Sequence, residues 1–113
     1  MSADFPVIAW FLGDEDVARK RAESDLVDAV FAGTSPSFNL AKFSAADGAE
    51  RAVEVAKTVP MMAKHRVVVI RDMQSAPVDL LEELLRYAEK PNPSTVLILE
   101  SPKTPPASGG VDR

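Results

Sequence analysis

Carboxylates dominate the side chains of this sequence that could do chemistry. Gly13-Asp14-Glu15-Asp16 places three in a row after an apolar run, and Asp72 closes another apolar run further on. Clustered carboxylates can hold Mg²⁺, and one of them can then accept a phosphoryl group while a lysine such as Lys103 balances charge. A plainer explanation competes with this one. Acidic residues at the start of a helix cap it and offset the positive end of its dipole. Other chemistry has less support. His65 is the only histidine and there is no cysteine, which removes zinc sites and Cys–His nucleophile pairs. No serine sits in a Gly-x-Ser-x-Gly turn. A nucleotide site at the first turn would need a glycine-rich loop and a lysine; this turn has one glycine, three carboxylates and no lysine, so it repels phosphate. The sequence therefore predicts no enzyme, no resident metal and no cofactor.

A second feature joins apolar and basic residues. Thr58-Val59-Pro60-Met61-Met62 leads through the basic run Lys64-His65-Arg66 into Val67-Val68-Val69-Ile70. Pro60 breaks the preceding helix, so the methionine pair falls on a connection, and connections run over the surface. Lys57, Lys64, His65 and Arg66 surround it with positive charge. Methionine is a flexible, polarizable side chain that adapts to a partner's pocket. The pair is therefore either a plug for the domain's own core or an apolar anchor with a charged rim, as at protein interfaces.

The elements that must position these residues alternate regularly. Val7–Leu12 is an apolar run closed by Gly13 and reads as a buried strand. Val17, Arg21, Leu26, Val27, Val30 and Phe31 recur at helical spacing up to a stop at Gly33. Phe38–Phe43 alternates like a short second strand. Asp47-Gly48 opens a second helix with Ala49, Ala52, Val53, Ala56 and Val59 as its apolar members, and Arg66–Asp72 is the third strand. Pro77 suits the first turn of a third helix carrying Leu80, Leu81, Leu84, Leu85, Tyr87 and Ala88. Pro91-Asn92-Pro93 ends that helix, and Thr95–Leu99 is the fourth strand. Trp10, inside the first strand, is expected in the core. Strand and helix in alternation predict an α/β fold: a parallel β-sheet with helices on both faces.

Within that order, Asp14, Asp16 and Asp72 imitate a receiver-like phospho-switch domain only loosely. The second unit is too long, and Lys103 follows the fourth strand where a receiver places it after a fifth. Residues 1–101 are expected to form one α/β domain. Residues 102–113, rich in Pro, Gly and Ser, read as a loop or as the start of a further element, which suggests a piece of a longer protein.

Composition agrees with these expectations. At 113 residues, with 46% hydrophobic and 27% charged residues, the chain suits one globular domain with one core. The lack of cysteine fits a reducing, cytoplasmic setting. No apolar stretch is long enough to span a bilayer. A net charge of −4 argues against direct DNA binding by bulk electrostatics.

The arrangement resembles a known family. A strand ending in Leu12-Gly13-Asp14-Glu15, a helix, and then Pro60-Met61-Met62 leading through basic residues into Val67–Ile70 is similar to the N-terminal domain of the bacterial DNA polymerase III delta subunit. Leu84-Leu85-Arg86-Tyr87-Ala88-Glu89-Lys90-Pro91-Asn92-Pro93-Ser94-Thr95-Val96-Leu97-Ile98-Leu99 also matches that family's helix, Pro-x-Pro turn and strand. The resemblance runs from Val7 to about Lys103. It implies a P-loop NTPase or AAA+-like domain without a phosphate-binding loop. It also implies a clamp-loader function: binding the sliding clamp (the beta subunit) and helping to open the ring for loading on DNA. In that family an apolar pair, usually Leu-Phe, enters a pocket of the clamp. By position it corresponds to Met61 and Met62, approached by Thr58, Val59 and Pro60. ATP would be hydrolysed by partner subunits, which delta holds through domains this chain lacks; contact with DNA would be indirect, and the piece would be a monomer in isolation.

Overall fold

The computed structural model describes residues 5–32, 39–47, 49–60 and 64–102. Four strands, β1 (Ile8–Leu12), β2 (Leu40–Ser44), β3 (Arg66–Arg71) and β4 (Thr95–Ser101), alternate with three helices, α1 (Asp16–Phe31), α2 (Glu50–Ala56) and α3 (Val78–Glu89). The strands form one sheet in the order β1-β4-β3-β2, and every neighbouring pair is parallel. β3 and β4 are therefore central, and their sequences show why. A central strand buried on both faces must be apolar throughout, and Val67 to Ile70 are fully buried, as are Val96 to Ile98 within 2%.

Period-two alternation divides those side chains between two cores. Val67, Val69, Val96 and Ile98 pack with Val30 and Phe31 of α1 on one face. Val68, Ile70, Leu97 and Leu99 pack with Ala52, Val53 and Ala56 of α2 and with Leu80, Leu81, Leu84 and Tyr87 of α3 on the other. Helices cover both faces, as the alternation of elements predicts. Each fully buried Val, Ile or Leu contributes about 1.5–3 kcal/mol through removal from water, so the two layers of β3 and β4 hold the domain together.

Several boundaries differ from the sequence expectation. β2 begins at Leu40, and Phe38 and Gly33 lie outside the described residues. α1 ends at Phe31, with Ala32 in the left-handed region (φ 52°) and its N–H bonded to the Asp28 carbonyl at 2.8 Å. β4 runs two residues past Leu99 to Ser101. α2 stops at Ala56, so Val59 is not on the helix; it is 80% exposed. Thr58 explains the early stop. Its hydroxyl and its N–H both donate to the Val55 carbonyl, at 2.6 and 3.1 Å, an i−3 turn where a continuing α-helix would bond the N–H to Glu54. Pro60 adds to this by disfavouring helical backbone at the residue before it. Trp10 is also not core: it is 39% exposed on the edge strand β1, its indole N–H donating to Ser101 Oγ at 3.0 Å.

Candidate functional site

In a parallel sheet all strands start at one rim and end at the other. The expected clamp-contact segment enters β3, so it belongs to the rim where strands begin. Of its five residues, Thr58, Val59 and Pro60 are described, and Met61 and Met62 lie outside the described residues. Thr58 and Val59 are exposed and Pro60 is half-buried.

The backbone leading to this segment is held by side chains from distant parts of the chain. The carbonyls of a helix's last turn lack intrahelical partners, and here tertiary donors supply them. The Ala56 carbonyl accepts from Thr95 Oγ1 at 2.8 Å and from Asn92 Nδ2 at 3.2 Å. The Thr58 carbonyl accepts from the same Asn92 Nδ2 at 3.1 Å, and the Val59 carbonyl from Arg66 Nη2 at 3.3 Å. Asn92 is itself fixed. Its Oδ1 accepts from the Ser94 N–H at 3.0 Å, and its own N–H donates to Tyr87 Oη at 3.2 Å. The Ser94 N–H also decides which way the amide points, because only Oδ1 can accept from it.

This geometry revises the role of two residues. Arg66, expected on a positive rim, is buried at 8% exposure and turns a guanidinium nitrogen inward to Val59. His65 is half-buried and meets the Phe5 ring edge to face at 5.3 Å. The exposed positive charges flanking the segment are Lys57 and Lys64.

The opposite rim, where function commonly sits in open α/β sheets, is occupied by an internal charge network. Glu23, a residue of α1 only 4% exposed, accepts from Arg71 Nη2 at 3.0 and 3.2 Å and pairs with Lys42 Nζ at 3.0 Å. Glu100, also 4% exposed, faces it from β4. Burial pushes the Glu100 carboxyl up to about 8, reinforced by its hydrogen bond to Glu23 and by that residue's charge. Burial also works against ionised Glu23, but hydrogen bonds from Glu100, Arg71 and Lys42 outweigh it and hold the group at about 2. The pair thus shares one proton: Glu100 keeps it and donates to Glu23. Glu23 gave no signal as a buried charge in the sequence, since helical charges are ordinarily solvated; Lys42 inside a strand was the one available hint.

The receiver-like alternative is not supported. Asp16 is paired with Arg19, whose guanidinium also reaches the Gly13 carbonyl, and Asp72 accepts from Ser44 Oγ at 2.7 Å. A cleft of about 240 Å³ does bring Asp16 and Asp72 to one wall set, but Arg19, Lys20 and Arg71 line it with them and supply the countercharge. Among the described residues no three carboxylate or histidine side chains are grouped to hold a cation. Lys103 lies outside the described residues.

The comparisons with known proteins bear on the whole chain. Residues 10–108 match the family described as DNA polymerase III, delta subunit. The chain belongs to that family. Comparison with curated proteins finds no match. Among solved structures, the fold is similar to the Bacillus subtilis DNA clamp loader delta protein (YqeN), with a TM-score of 0.69 and 20% identity over 87% of this chain and 32% of that one. It is also similar to a Thermotoga maritima DNA polymerase III gamma subunit-related protein, with a TM-score of 0.71 and 12% identity over 85% of this chain and 34% of the other. This chain therefore spans about a third of the length of either. At such identities the likeness establishes a shared α/β fold and does not separate delta from gamma. Family membership rests on the match to residues 10–108. No described helix is long and apolar enough to cross a membrane.

Proposed function

We propose that residues 1–101 are the N-terminal domain of a clamp-loader delta subunit that binds the sliding clamp and helps to open its ring. Family membership over residues 10–108 carries this reading. The exposure of Thr58 and Val59 at the rim where the strands begin supports it. The contact is formed by Met61 and Met62, with Thr58, Val59 and Pro60 as the approach. Each methionine that is fully buried in a clamp pocket contributes roughly 1.5–3 kcal/mol. Opening needs no bond chemistry from this domain, because binding that is tighter to the open ring shifts the ring's own equilibrium toward it.

On this reading the domain is not an enzyme, works in the cytoplasm, and meets DNA only through the clamp. ATP hydrolysis belongs to partner subunits, and assembly with them is not assigned to this domain. Calorimetry with the sliding clamp of the same organism tests the proposal, run beside a Met61→Ala/Met62→Ala double variant. The wild-type chain should bind, and the variant should keep its melting temperature while losing binding. An unfolded variant would place the methionines in the core, and a wild-type chain that does not bind would refute the clamp contact.

A further inference from the structure

The polar contacts behind the exposed segment form a connected unit. Asn92 spends both of its side-chain donors there. Its Nδ2 group donates to the carbonyls of Ala56 and Thr58, 36 and 34 residues away in sequence, while its Oδ1 accepts from Ser94. Thr95 adds a second donor to Ala56 from the first residue of β4, and this hydroxyl is buried. Between Pro91 and Pro93, Asn92 has neighbours that restrict its backbone, and its N–H is held by Tyr87 of α3. A turn of this kind needs no such reach to end a helix. What the reach accomplishes is to fix where the chain leaves α2, and therefore the direction in which Val59 and Pro60 are presented.

We infer that Asn92 and Thr95 are positioning residues for the clamp contact: they fix the exit from α2 so that the exposed Val59–Pro60 end is held in its binding direction before the partner arrives. The inference rests on the clamp-binding reading and concerns the cost of ordering, which a preorganised segment does not incur on binding. Asn92→Asp removes both Nδ2 donors and sets a carboxylate against two carbonyl oxygens while keeping the Oδ1 acceptor. If the competent direction falls to about a tenth of the population, the apparent Kd for the clamp rises about tenfold.

The test pairs hydrogen exchange on the free chain with clamp calorimetry for wild type, Asn92→Asp, Thr95→Val, Thr95→Ser and Val30→Ala. Val30 lies in the core on the α1 face, so Val30→Ala lowers stability without touching the exit from α2. The inference predicts faster exchange at Lys57 and Thr58 in Asn92→Asp and Thr95→Val, together with about tenfold weaker clamp binding. Thr95→Ser, which restores the hydroxyl, should bind like wild type, and so should Val30→Ala despite its lower melting temperature. Unchanged exchange at Lys57 and Thr58 would overturn the positioning role, as would faster exchange with wild-type affinity. Equal weakening by Val30→Ala would reduce the effect to general stability and overturn it too. A wild-type chain that binds no clamp would sink the clamp reading and this inference with it, and the exchange data would still separate that failure from the absence of the brace.

Discussion

The two rims of this sheet handle polar groups in opposite ways. Where the strands end, side-chain charges satisfy one another: Arg71 and Lys42 converge on Glu23, Glu100 shares its proton with it, and Ser44 holds Asp72. Where the strands begin, side chains satisfy backbone carbonyls, and apolar surface is left outside, with Val59 at 80% exposure. The first rim pairs most of its charges internally, around a cleft of about 240 Å³ lined by Arg19 and Arg71, whose buried Nε–H groups have no partner among the described residues. The second spends its polar groups on holding a short segment away from the core. Ligands of open α/β sheets commonly bind at the strand ends; the proposed clamp contact lies at the other rim.

Substitutions sharpen that contrast, and the largest effect is expected at the rim where the strands end. Arg71→Met leaves buried Glu23 without the guanidinium nitrogen that reaches both its oxygens and should cost about 3 kcal/mol; Lys42 and Glu100 remain to limit the loss. Denaturant unfolding measures it, and a change within about 0.5 kcal/mol, ordinary for surface sites, would mean that the network contributes little.

The pH dependence probes the same rim. Glu23 is held below its ordinary value, so its contribution is present above pH 4.5 and lost as pH falls toward 2. Glu100 is raised, so its contribution is complete below pH 4.5 and lost as pH rises toward 8. Stability from this pair should therefore peak near pH 4.5 and decline toward 8. Glu100→Gln, which cannot ionise, should flatten the decline: relative to wild type it gains stability between pH 5 and 8. An unchanged slope in thermal melts across that range would contradict the shared proton.

The smallest effect on folding is expected at the open rim. Val59→Ser should alter stability by no more than about 0.5 kcal/mol, because the side chain is already in water, yet it should weaken binding to the clamp. A large loss of stability would show that Val59 packs, and would erase the contrast between the rims.

Much of the architecture was legible because β3 and β4 are apolar without interruption and α3 repeats leucine at helical spacing. Alternating with helices, such runs suit central strands of a parallel sheet covered on both faces. The acidic turn was readable in part: Asp16 does fall in the first turn of α1, but Glu15 at the N-cap makes no side-chain capping bond, and the pairing of Asp16 with Arg19 was not foreseen. What escaped the sequence were effects between residues far apart in the chain. Val59 continues the helical spacing of Ala52 and Ala56, and only the Thr58 hydroxyl and Pro60 take it off the helix. Asn92 reads as turn punctuation between two prolines, whereas its amide works on α2, 34 to 36 residues away. Glu23 looks solvated until Lys42 and Arg71 close over it. Each of these depends on which strands become neighbours, and order along the chain does not reveal that.

The most direct test of the account is hydrogen exchange on the chain with and without the sliding clamp, read residue by residue. Clamp binding should protect the amides of residues 58, 59, 61 and 62 and their neighbours where the strands begin, with exchange at Gly13, Asp16, Asp72 and Ser101 unchanged. Protection confined to the rim where the strands end, around Asp16, Asp72 and Glu100, would contradict it.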